Sequence, residues 1–221
     1  MAGDEGRSEV KELLSPGLRR ALTVGFFVSL FQQATGINAV FYYAPEIFKS
    51  AGLPTTDALS STMLIGVVLV LATLVSMWLI DQVGRRTLLI VGAAAMMVLE
   101  ASIGAVFLSA HPKGVAPLAF VLAYVVFFAV SFGTVTYVVI SEIFPTRVRG
   151  AAASIAAFAL WGGNYLISQF FPILVAEVGS AVTFFVFAGV CALALIFVLV
   201  MVPETKERTL EEDCIERSTA N

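Results

Sequence analysis

Three side-chain amides, Gln32, Gln33 and Asn38, lie in the middle of an apolar stretch (21–45) long enough to cross a membrane, with Tyr42 and Tyr43 just beyond them. Each amide carries two N–H donors and a carbonyl acceptor. Left unpartnered in hydrocarbon, such a group costs roughly 4–8 kcal/mol on alkane-transfer scales, so something polar must meet it. A polyhydroxylated solute offers donors and acceptors at matching density, and recognising one requires binding rather than covalent chemistry. Residues for other chemistry are missing. The single histidine, His111, has no metal-ligand company, and neither a phosphate-binding glycine loop nor a Ser/His/Asp grouping occurs. No enzyme activity, metal or cofactor is expected. Cys191 falls inside an apolar run and Cys214 near the C-terminus, too far apart in depth to pair, so both are expected as free thiols.

The elements that position these amides must be membrane helices. Of the 221 residues, 59% are hydrophobic and 13% charged, and the mean hydropathy is +0.93. That balance excludes a water-soluble core. Besides the first span, apolar runs cover 58–80, 87–109, 117–140, 151–174 and 181–202. As helices they reach roughly 33–36 Å each, enough for a hydrocarbon core of about 30 Å. A β-barrel needs alternating segments of about 10 residues, which these continuous runs are not. The fold class is therefore all-α: an integral membrane protein of six transmembrane helices, in two triplets that start from opposite sides. The leading span of each triplet carries a mid-membrane glycine, Gly36 or Gly133, where a helix is expected to bend. On an ideal helix Gln32, Gly36 and Tyr43 share a face, whereas Asn38 and Tyr42 lie about 80–120° away and Gln33 on the other flank. Unwinding near Gly36 would gather them toward one cavity.

Charge gives an orientation. Of 13 basic residues, only Lys49 and Lys113 fall in alternate loops on one side, with the remaining 11 opposite. This positive-inside bias places both termini in the cytoplasm. The expected organisation is a cytoplasmic segment (1–20) with a short helix at 8–14, a membrane domain (21–202) and a cytoplasmic tail (203–221). The first 20 residues are polar rather than apolar, so no signal peptide is read there and the first span is expected to act as its own insertion signal. Glu100 stands near the centre of the third span with no Lys or Arg inside any span to pair with it. It is expected to be protonated or hydrogen-bonded, as a proton-coupling group or as an interior or cavity-facing residue.

The pattern Gln32-Gln33-x-x-Gly36-Ile37-Asn38-x-x-x-Tyr42-Tyr43 resembles the seventh-helix motif of the sugar porter family in the major facilitator superfamily. Four more motifs follow in the family's order. Asp81-x-x-Gly84-Arg85-Arg86 resembles its loop between helices eight and nine, and Ser141-Glu142-Ile143-Phe144-Pro145-x-x-x-Arg149-Gly150 the end of helix ten. Trp161-x-x-Asn164-Tyr165 with Phe171-Pro172 resembles helix eleven, and Pro203-Glu204-Thr205-Lys206-x-Arg208-Thr209-Leu210-Glu211-Glu212 the tail after helix twelve. The resemblance implies the C-terminal six-helix half of a twelve-helix fold, itself a three-plus-three inverted repeat, carrying a monosaccharide or polyol by alternating access.

It further implies that Gln32, Gln33 and Asn38 bond sugar hydroxyls, that Tyr42 and Tyr43 help to close an outer gate, and that Trp161 offers an apolar face to the ring. Asp81, Arg85, Arg86, Glu142 and Arg149 would form an ion-pair clamp on the cytoplasmic side, Glu142 pairing with Arg85 or Arg149. The implied partners are sugar, lipid bilayer, an N-terminal six-helix half and, for a symporter, protons; nucleic acid is not among them. Several positions depart from the family pattern. Leu69 and Leu160 stand where amides often occur, Gly133-Thr134-x-x-Tyr137 replaces Gly-Pro-x-x-Trp, and Glu207 replaces a tail glycine. Tyr137 can still stack on a ring and adds a hydroxyl. A solute-binding receptor or regulatory fragment, or a non-functional remnant, would share the same amides, so these alternatives stay open at this level.

Overall fold

The computed structural model describes residues 13–50, 54–108 and 116–204. The predicted helix at 8–14, apart from its last two residues, lies outside them, as do His111, Lys113 and Cys214. The described chain is helical almost throughout: α1 (Pro16–Ala34), α2 (Ile37–Ser50), α3 (Thr55–Val83), α4 (Arg85–Leu108), α5 (Ala116–Phe128), α6 (Thr134–Ile143) and α7 (Arg149–Met201). A π-helical turn, Ala129–Gly133, joins α5 to α6. No strand occurs among the described residues.

Among the described residues, five helical stretches are long and apolar enough to cross a membrane, with α1–α2 and α5–α6 each forming one of them. The fifth, α7, has 53 residues and would reach about 80 Å if straight, far more than a bilayer core. It reverses at Gly179, whose φ of 83° and ψ of 161° are non-helical. Phe171 and Phe187, on opposite sides of that turn, stack with ring centroids 6.1 Å apart; an unbroken helix would hold them about 24 Å apart. The two arms of α7 therefore supply the fifth and sixth spans, with the turn where the sequence places it.

Glycine lets these helices approach closely, since lipid provides little hydrophobic drive and packing depends on small residues at the contacts. A Cβ on Gly92 of α4 would sit 2.0 Å from Ser131 Oγ and 2.2 Å from Ser131 Cβ in the π turn, and one on Gly104 would sit 3.0 Å from the Ala181 carbonyl. Phe107 of α4 stacks on Phe184 of α7 at 5.6 Å, and Phe27 and Phe31 of α1 meet Phe197 at 5.5 and 5.6 Å. The second arm of α7 is thus wedged between the leading span and α4.

Several hydroxyls are satisfied within their own helix. Ser29, Thr73, Ser102, Ser154 and Thr183 each donate to the carbonyl four residues back in their own helix, the usual solution where water is absent. Outward-facing side chains are large and apolar, as on α3, where Met63, Val70, Leu74 and Trp78 are exposed. Such a surface suits hydrocarbon or a second membrane domain rather than water.

Candidate functional site

The two broken spans meet near the middle of their lengths. The first breaks at Thr35 and Gly36, where Gly36 adopts a φ of +94° that favours glycine, and Phe187 lies 3.1 Å from where a Cβ would stand. The fourth span widens into the π turn ending at Gly133, the second glycine picked out in the sequence. A π turn leaves carbonyls without their regular partners. Side chains meet them here: Gln32 Nε2 donates to the carbonyls of Phe132 (3.1 Å) and Gly133 (3.3 Å), Ser76 Oγ to Val130 (3.1 Å), and Thr134 Oγ1 to Ala129 (2.9 Å). Thr134, standing in for the family's proline, therefore secures the turn with its hydroxyl. One break thus holds the other through Gln32.

Against this junction opens a cleft of about 240 Å³, lined by Gln32, Gln33, Asn38, Thr73, Thr134 and Tyr137 on its polar parts and by Ile37, Phe41, Leu69 and Phe128 on its apolar parts. That is below the ~300–1,000 Å³ usual for drug-sized ligands, and so fits a small solute or one wall of a larger chamber. Asn38 Nδ2 donates to Gln33 Oε1, orienting the pair and leaving the Gln33 amide N–H groups and the Asn38 carbonyl for other contacts. Gln32 Oε1 is buried without a partner, a free acceptor beside the cleft. The break brings together the three amides that a continuous helix would spread over a wide arc.

The aromatic residues divide. Tyr137 lines the cleft and is 58% exposed. Tyr42, Tyr43 and Trp161 stand outside its lining. Tyr43 packs on Phe171 at 5.0 Å and donates to the Ser168 carbonyl at 3.3 Å, tying α2 to the first arm of α7. Tyr42 and Trp161 are exposed at 56% and 65%. Leu69 faces the cleft as an apolar wall, whereas Leu160 is buried. Thr73, Phe41, Phe128 and Ser76 were not legible as site residues, because no spacing rule says which face of a wholly apolar helix turns inward.

At the opposite end from α2, Arg85 is the hub of a polar ring. Its Nη2 lies 2.9 Å from Glu142 Oε1 and 3.2 Å from Asp81 Oδ1, Nε reaches Glu142 Oε1 at 3.2 Å, and Nη1 donates to the Ile80 carbonyl. Of the two pairings open to Glu142 in the sequence, these bonds realise the one with Arg85. Arg149 instead donates to the Phe144 carbonyl at 3.3 and 3.4 Å. Arg86 Nη2 donates to the Leu199 carbonyl at 2.8 Å, one of the last carbonyls of α7, which have no helical N–H donor. Glu204 of the tail accepts from the backbone N–H of Arg85 at 3.0 Å, as a carboxylate favours a helix N-terminus. Gly84 adopts φ +92°, where a side chain would be strained, and a Cβ there would also push against the Glu204 carboxylate, 2.9 Å away. With Arg85 14% and Glu142 28% exposed, an Arg85→Ala/Glu142→Ala double-mutant cycle in thermal unfolding is expected to show a coupling of about 0.5–3 kcal/mol. The Asp81 pair, 72% exposed on the acid side, is expected to add under ~1 kcal/mol.

Comparison with known proteins agrees with this architecture. The family model described as "Sugar (and other) transporter" matches residues 2–214. The chain is 41% identical over 208 residues to the arabinose-proton symporter of Bacillus subtilis (strain 168), covering 94% of this chain and 45% of that protein. It is 40% identical over 215 residues to the D-xylose-proton symporter of Escherichia coli (strain K12), covering 95% and 43%. Among solved structures, the major facilitator superfamily proton:xylose symporter XylE bound to 6-bromo-6-deoxy-D-glucose superposes with a TM-score of 0.79 at 37% identity, over 96% of this chain and 47% of that one. The inward-open xylose transporter XylE from E. coli gives 0.78 at 36% identity, over 93% and 44%. The chain spans about half the length of the curated relatives it matches, and this all-α, multi-pass membrane protein belongs to the sugar porter family of the major facilitator superfamily.

Proposed function

We propose that the chain forms one wall of a sugar pathway, binding a monosaccharide or related polyol at the junction of its two broken helices, and that a second six-helix half supplies the facing wall. The observation that carries this reading is the convergence of Gln32, Gln33 and Asn38 on one cleft, with Gln32 Oε1 unpartnered beside it. Relatives with this architecture are named as arabinose and xylose symporters. Lining the cleft, Tyr137 offers a ring face and hydroxyl to the sugar, while Leu69 favours an edge carrying fewer hydroxyls. Tyr42, Tyr43 and Trp161 act at the rim, as gate and as surface for the other half. The Arg85–Glu142 ring faces the cytoplasm together with both termini and latches that side closed, opening as the halves rock.

Gln33→Ala and Asn38→Ala are each expected to weaken sugar affinity by about 1–3 kcal/mol by leaving hydroxyls unpaired. Because Asn38 donates to Gln33, the double mutant is expected to lose less than the sum of the two. Isothermal titration with both halves present checks this. Unchanged affinity in both single mutants would return the amides to helix packing. Counterflow of labelled sugar into proteoliposomes separates a carrier, which exchanges it, from a receptor, which only binds.

A further inference from the structure

The π turn Ala129–Gly133 closes its hydrogen bonds over five residues instead of four and so holds one residue more than an α turn. That surplus sets the register of everything after it. Were the turn to close to α-helical geometry, α6 would advance by one residue against α5, rotating about 100° and moving about 1.5 Å along its axis. Thr136 would then take the place that Tyr137 holds in the cleft. In the present register α6 has two distinct faces. Thr134 and Tyr137 line the cleft, whereas Val135, Thr136, Val139, Ile140 and Ile143 are buried.

A buried carbonyl that loses its regular helical donor is costly unless another donor reaches it. Here the donors come from three elements: Gln32 of α1 to Phe132 and Gly133, Ser76 of α3 to Val130, and Thr134 of α6 to Ala129. The last bond spans five residues, the spacing of a π turn. Two carbonyl oxygens lie within 3.3 Å of one Gln32 atom, and only the amide nitrogen can donate to both. The grip on the turn therefore dictates how Gln32 is oriented, at the expense of leaving its Oε1 buried without a partner. The chain before the turn is anchored separately. The Tyr124 O–H of α5 donates to the Thr35 carbonyl at 2.8 Å, and Gly92 of α4 stands against Ser131 with no space for a Cβ. A change of register must therefore appear in α6.

We propose that Gln32, Ser76 and Thr134 are positioning residues that hold α6 in the register presenting Tyr137, rather than Thr136, to the cleft. Gln32 ties that register to the first broken span, because the amide that grips the turn is also part of the cleft wall. That Tyr137 meets a sugar rests on the reading above, whereas the register and the residues that hold it do not.

The test reads the register directly, in the full chain carrying Cys214→Ser, with one copy per lipid nanodisc and Cys191 left in place because it is buried. Nitroxides are placed at Val200→Cys on α7 and, in turn, at Ser141→Cys on α6 or Val126→Cys on α5, all exposed positions. Double electron–electron resonance gives the two distances. Gln32→Leu/Thr134→Val removes three of the four bonds to the turn. It is expected to displace the Ser141 label by up to about 8 Å, the chord of a 100° rotation at the helix surface, while the Val126 distance stays native. Thr134→Ser, which keeps the hydroxyl, is expected to keep both distances. Native distances in the double variant overturn the proposal, and so does an equal shift of both labels, which is a loosened bundle rather than a new register. Should the double variant not fold, Thr134→Val decides: a Ser141 distribution identical to that of Thr134→Ser overturns it. With both halves present, Tyr137→Ala is expected to weaken xylose binding about three- to tenfold in the native register and to have no further effect in the double variant; persistence of its effect there overturns the proposal. A displaced Ser141 label with no effect of Tyr137→Ala in either register leaves the positioning role standing and defeats only the sugar reading of Tyr137.

Discussion

Saturable sugar uptake by a transport-deficient host is expected to be absent when this chain is expressed alone, and to return when a matching N-terminal six-helix half is co-expressed. In the major facilitator architecture the substrate lies near the midplane between two halves, and transport is largely their rocking around it. In the function proposed above, this chain supplies one such wall. Tyr137, Trp161, Tyr165 and Phe170 are exposed at 54–66%, large apolar and aromatic surfaces that a facing half would cover. Without that half, Gln33 and Asn38 would face lipid or a second copy, and unsatisfied amides in hydrocarbon favour association. The chain alone is therefore also expected to run as dimers or aggregates in mild detergent. Labelled xylose or arabinose uptake, with and without the partner half, is the measurement. Robust saturable uptake by the chain alone would require a functional homodimer and would defeat the half-site reading.

Gly92→Ala is expected to destabilise the membrane domain by about 1–3 kcal/mol, the range for forcing a methyl group into a packed contact. Its Cβ would lie within 2.2 Å of both Ser131 Oγ and Ser131 Cβ. Rotation of the hydroxyl cannot relieve a clash with Cβ, so α4 must move away from the π turn. Ser131→Gly in the same chain is expected to recover most of the loss, although it also removes the bond from Ser131 Oγ to the Phe127 carbonyl. Gly189→Ala, with nothing within 4 Å of the added Cβ, is expected to be neutral or to gain up to about 1 kcal/mol of helix propensity. Thermal unfolding of the three variants in one detergent separates the effects. If Gly92→Ala and Gly189→Ala unfolded alike, close packing of α4 on the π turn would not be what fixes the cleft wall.

Membrane helices were legible in the sequence because hydrocarbon leaves the backbone only helices or closed barrels, and the apolar runs were too long and continuous for strands. The break at Gly36 was legible too, since glycine adopts a positive φ at little cost, and so was an interruption between the apolar runs 151–174 and 181–202, where Gly179 turns the chain. Gly133 was legible as a point of distortion, but not as a π turn, since that depends on partners for its carbonyls. Those partners come from distant segments: Gln32 lies a hundred residues from Phe132, and Ser76 reaches Val130 from α3.

The same limit applied at the charged end. Composition and motif placed Arg85, Arg149 and Glu142 together, but both arginines had the right charge and reach. Only packing gave Glu142 to Arg85, sent Arg149 to the Phe144 carbonyl, and brought Glu204 onto the start of α4. Tyr43 likewise has the type of a gating residue, yet its hydroxyl is directed to Ser168. The sequence by itself determined the solvent, the number of spans and the places where a helix would give way, because those depend on local transfer energy and backbone freedom. The tertiary structure alone decided which polar group meets which, because that depends on how closely helices far apart in sequence approach, and contacts such as Gly92 with Ser131 set that distance.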